Sequence, residues 1–63
     1  MALHDPDLTE PRRKEIFLAL VEVQDQRTSV VQSRKLITGR FAISERQIRQ
    51  IEEEGLEHGW PPL

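Results

Sequence analysis

The chain has 63 residues, no cysteine and a formal net charge of −2, which bounds it to one small domain without disulfides or thiolate metal sites. A chain this short buries only ~60% of its unfolded surface, so core contacts must be efficient or an oligomer must add area. No apolar run approaches the ~20 residues of a membrane span, and the acidic start MALHDPDLTE lacks a signal peptide's basic and apolar regions.

Residues 1–8 read as a loose lead-in, with Asp5-Pro6 as a turn signal. Thr9 is positioned as an N-cap, with Glu10 and Pro11 in the first turn. The first helix is predicted over about 10–26. Ile16, Phe17, Ala19, Leu20 and Val23 share one broad face. Leu18 lies opposite, beside Glu15, Glu22 and Asp25, as an ordinary exposed leucine or a dimer contact. Thr28 or Ser29 caps a second helix, 29–41, in which Val30, Ile37 and Phe41 share a face flanked by Val31 and Leu36. Gly39 weakens that helix by ~1 kcal/mol relative to alanine and leaves room for another helix or a DNA backbone. After the turn Ala42-Ile43 comes a third helix, 45–57. Ser44-x-x-Gln47 supplies its capping box, and Ile48, Ile51 and Gly55 form its buried stripe. Gly59 is a C-terminal stop, and 60–63 is a tail. Trp60 is expected to fold back against the first or third helix, with an exposed partner anchor as the alternative. There is no strand alternation and no internal repeat. The fold class is all-α: a three-helix bundle over 9–59 containing a helix-turn-helix.

The helix-turn-helix reading rests on five positions. Two residues of its first helix, one of the turn and two of its second must meet as a miniature core. Here they are Ile37, Phe41, Ile43, Ile48 and Ile51. A generic three-helix bundle shares that pattern, so the polar face must decide. Opposite the buried stripe, the last helix presents Arg46, Arg49, Gln50 and Glu53, with Glu45 and Gln47 at the border. Arginine pairs bidentately with guanine and glutamine with adenine, and a recognition helix reads bases with its N-terminal residues. Candidate base contacts are therefore Glu45, Arg46, Arg49 and Gln50. Arg49 also has Glu53 within reach at i,i+4.

Charge distribution agrees with a nucleic-acid partner better than net charge does. Residues 27–50 hold Arg27, Arg34, Lys35, Arg40, Arg46 and Arg49 against Glu45 alone, a net +5, and the flanks carry −7. Arg34, Lys35, Arg40 and the Ser44 helix start are candidate phosphate contacts. Arg12, Arg13 and Lys14 oppose the dipole at the start of the first helix, which favours acids. Glu52, Glu53 and Glu54 would repel phosphates at the far end of the last helix.

The string Ile43 to Glu52, ISERQIRQIE, resembles the recognition helix of region 4 of sigma-70-type factors, most closely over Ile48-Arg49-Gln50-Ile51-Glu52. The resemblance covers about 34–56. It implies a helix-turn-helix that binds promoter DNA in the major groove and touches RNA polymerase, with Glu45, Arg46, Arg49 and Gln50 facing DNA. The chain departs from that pattern at Ala42, where glycine is usual, and at Thr38, where a small residue is usual. It also lacks the leucine-rich approach and any counterpart of the polymerase-binding region 2, so the expectation is a stand-alone region-4-like protein in the bacterial cytoplasm, at the nucleoid.

Other chemistry finds little support. His4 and His58 have no neighbours at metal-ligand spacing. Successive acids at 52–54 point in different directions, and no nucleophile accompanies them. The expectation is therefore no enzyme, no metal and no cofactor. The partners expected are double-stranded DNA and either a second copy or a larger protein. The rival function is a protein-interaction module that keeps the fold without DNA, favoured by the net acidic charge.

Overall fold

A computed structural model describes residues 8–63; the reading of residues 1–7, with His4 and Asp5-Pro6, lies outside them. Three α-helices follow in order: α1 (Glu10–Asp25), α2 (Val30–Phe41) and α3 (Glu45–His58). Each packs on both others, giving an all-α three-helix bundle. None is long and apolar enough to cross a membrane.

Side-chain caps set all three helix starts. Thr9, Ser29 and Ser44 are extended residues whose hydroxyls accept the N–H of Arg12, Gln32 and Gln47, satisfying donors that have no partner within the helix. Ser29, rather than Thr28, caps α2. At Ser44 the box is complete, since the Gln47 side chain accepts the Ser44 N–H at 2.8 Å. The α1–α2 connection turns on Arg27 at φ 65°.

The core is Leu8, Ile16, Phe17, Leu20, Ile37, Ile48, Ile51 and Trp60, with Ala19, Val21, Val23, Phe41 and Ile43 packed on it. Of the five helix-turn-helix positions, Ile37, Ile48 and Ile51 are buried, and Phe41 and Ile43 are half-buried at the turn. Two corrections concern the edges of this core. Leu8 belongs to it rather than to a loose lead-in. Arg13 donates to the Leu8 carbonyl at 2.6 Å and holds that residue against the bundle. Val30 is half-exposed, because it sits in the first turn of α2, beyond the end of the apolar stripe. The buried position there is Ser33, whose hydroxyl donates to the Val30 carbonyl at 2.8 Å and accepts from Gln24 at 3.3 Å. A buried hydroxyl with both roles filled avoids the cost of an unsatisfied polar group.

Trp60 folds back, 6% exposed, with its ring edge-on to Phe17 at 6.1 Å. Phe17 also sets the α1–α3 approach. A Cβ at Gly55 would overlap its ring atoms, whereas one at Gly39 would meet nothing within 4 Å. Gly55 is therefore needed for packing. Gly39 carries the ~1 kcal/mol helix penalty of glycine with no packing reason among the described residues.

Candidate nucleic-acid interface

The turn from α2 into α3 orients the proposed reading face. Ala42 adopts a left-handed conformation, φ 56°, and the Ile43 N–H reaches the Thr38 carbonyl at 3.1 Å. This closes α2 and drops Ile43 toward the core. Ser44 then starts α3 at once. With Ile48, Ile51 and Gly55 inward, the helical period turns Arg46, Arg49 and Glu53 outward. Glu45, Arg46, Arg49, Gln50 and Glu53 line one shallow surface depression. The four candidate base-contact residues are thus brought together on the first two turns of α3.

Within that group the side chains differ. Arg49 pairs one turn back with Glu45 at 3.2 Å, not forward with Glu53. Both members are well exposed, so the pair contributes little and is easily exchanged. Arg46 has no ion-pair partner among the described residues. Gln50 is half-buried at the edge of a second groove lined by Leu8, Arg13 and Gln47. Gln47 itself is committed to the capping box.

The acids that argued against a phosphate partner are largely engaged. Glu54 accepts from Arg13 Nε and Nη2 at 2.9 and 3.0 Å. Glu52 accepts from Arg34 Nε and Nη2 at 3.1 and 2.9 Å. The two acids lie on opposite flanks of α3, so one tie reaches α1 and the other α2. Both are part-buried and clamp the rotation of α3 about its own axis. Among Glu52, Glu53 and Glu54, only Glu53 has no such partner among the described residues. The arginine-rich start of α1 is likewise internally balanced. Arg12 pairs with Glu15 and Lys14 with Glu10, and Arg12 also lies 4.8 Å over the Phe41 ring.

The candidate phosphate contacts divide. Lys35 is exposed and has no ion-pair partner among the described residues. It lines a shallow site with Val31, Arg34, Thr38 and Glu45, on the side of α2 next to α3. Arg34 borders the same site, with its guanidinium already held by Glu52. Arg40 is not brought to them: it sits beside the Phe41 ring, 5.9 Å from its centroid, on the opposite flank of α2. The Ser44 hydroxyl is occupied in capping. Among the described residues no group of three histidines or acids could hold a metal ion. The interlocking Arg13–Glu54 and Arg34–Glu52 pairs were not read from the sequence. Partners 41 and 18 residues apart leave no local spacing to find them by. No family model matches the chain, and no curated protein or solved structure matches it.

Proposed function

We propose that this protein binds double-stranded DNA through a helix-turn-helix, placing α3 in the major groove for transcriptional regulation or for targeting a larger assembly to DNA. The observation that carries the reading is the grouping of exposed Arg46 and Arg49 with half-buried Gln50 on the first two turns of α3. That helix is capped by Ser44 and fixed in rotation by Arg34–Glu52 and Arg13–Glu54. Arg46 and Gln50 read base edges, and Arg49 joins them on releasing Glu45. Lys35 supplies a phosphate contact from α2. The likeness of Ile48 to Glu52 to the sigma-70 region 4 recognition helix points the same way, toward promoter-type DNA and RNA polymerase.

Salt dependence tests this reading. Affinity for duplex DNA should fall steeply as salt rises, with a slope set by the number of phosphates neutralised. Binding that is undetectable at low salt, or indifferent to salt, leaves the fold as a protein-interaction module.

A further inference from the structure

Two patches make up the proposed DNA surface. One is the depression on α3 lined by Glu45, Arg46, Arg49, Gln50 and Glu53. The other is the shallow site on the adjoining side of α2, lined by Val31, Arg34, Lys35, Thr38 and Glu45. Among the described residues, Glu45 alone lines both. A carboxylate therefore stands between the residues assigned to base edges and the lysine assigned to a phosphate.

The fold sets its position. Ser44 caps α3, so Glu45 is the first residue of the helix, where the macrodipole favours an acid. Arg49 follows one turn on, and the two are joined at 3.2 Å, with side chains 65% and 62% exposed. Glu53 stands one turn beyond Arg49 and lines the same depression, yet Arg49 turns back to Glu45. Arg34 adds no free charge, because Glu52 holds it. The surface is thus left with the charge of Arg46 on α3 and of Lys35 on α2, the latter beside Glu45.

We infer that Glu45 is a specificity-determining residue that acts as the internal counter-ion of this surface and not as a base contact. The inference rests on the DNA reading proposed above and names what restrains it. On an arbitrary duplex, Arg49 gains a phosphate only by giving up a carboxylate, and the released carboxylate then faces the phosphates itself. Arg49 therefore stays with Glu45, and binding runs on Arg46 and Lys35. On the preferred duplex, Arg49 leaves Glu45 for a guanine edge, which it meets bidentately. The exposed pair is weak enough to be exchanged there. Wrong sites are thus penalised by a repulsive group, while the right site is rewarded by a contact.

Titration of labelled duplexes by fluorescence anisotropy over a range of salt concentrations tests it, with one duplex selected from a random pool and one unrelated. Glu45→Gln should tighten the unrelated duplex about fivefold and steepen its salt slope by about 0.9, the value of one further phosphate. The selected duplex should tighten less than about twofold, because Arg49 has already left Glu45 there. Combined with Arg49→Ala, Glu45→Gln should no longer steepen the slope. Glu22→Gln, an equal charge change at an exposed position of α1, should leave the slope as it is. Helical circular dichroism should stay unchanged in every variant. Weaker binding of Glu45→Gln to the selected duplex makes Glu45 a base contact and overturns the inference. So does a slope that Glu45→Gln leaves unchanged, a steepening that persists without Arg49, or one that Glu22→Gln reproduces. A wild type that binds neither duplex at low salt overturns the DNA reading itself, and the inference with it.

Discussion

α2 ends at Ala42, φ 56°, and α3 ends at Gly59, φ 63°, on one backbone device. In each, a single carbonyl, of Thr38 or Gly55, accepts the N–H of the left-handed residue and that of the residue after it. In each, that following residue is apolar and turns into the core: Ile43 at the first, Trp60 at the second, as the helix-ending motif favours. The two differ in what they hold. Gly59 adopts its conformation freely, and Trp60 is buried on Phe17. Ala42 carries a Cβ where the left-handed region costs roughly 1–2 kcal/mol, and Ile43 is only half-buried. The difference teaches that the junction after α3 is held more firmly than the one before it. The first two turns of α3, which carry the proposed reading residues, follow the strained junction and are held by the Ser44 capping box and by buried Ile48 and Ile51.

Substitutions at the two ends should therefore differ in size and even in sign. Trp60→Ala should cost ~3–5 kcal/mol in denaturant unfolding, enough to unfold much of so small a domain. Gly55→Ala forces a methyl into the Phe17 ring and should cost about 3 kcal/mol, at the upper end of overpacking effects. Ile43→Ala, the counterpart of Trp60→Ala at the α2 end, should cost only about 1–2 kcal/mol because the side chain is half in solvent. Ala42→Gly should stabilise by about 0.5–1 kcal/mol, as the left-handed strain is relieved against glycine's greater unfolded-state entropy. An Ile43→Ala loss as large as that of Trp60→Ala would erase the contrast between the two ends.

Much of the fold was legible because its signals are local. Thr9, Ser44 with Gln47, and Gly59 mark helix boundaries by their own side chains or their lack of one. The apolar period of α3 located Ile48, Ile51 and Gly55 without a partner in view. What was not legible depends on which helix lies opposite. Val30 carries the period of Ile37, yet it lies past the edge of the core, and small Ser33 occupies the buried site. Leu8 precedes the first cap, and only its contact with the bundle makes it core. At the candidate interface, the outward direction of Arg46 and Arg49 follows from the period, whereas the half-burial of Gln50 depends on its neighbours Leu8 and Arg13. The neutralisation of Glu52 and Glu54 does not follow from the period either, because their arginines come from other helices. The acidic run therefore overstated the repulsion at the far end of α3.

The central claim is that the outer face of the first half of α3 reads DNA and is dispensable for folding. Its most direct test is to select the preferred duplex from a random pool and measure its affinity for the wild type and for Arg46→Ala combined with Gln50→Ala. The account predicts an unchanged helical fold and unfolding midpoint. It predicts at least a ~tenfold loss of preference for the selected duplex, since each bidentate base contact is worth ~1–3 kcal/mol, with salt-dependent binding to unrelated duplex retained. Equal preference in both proteins, or a loss that tracks unfolding of the double variant, would contradict it.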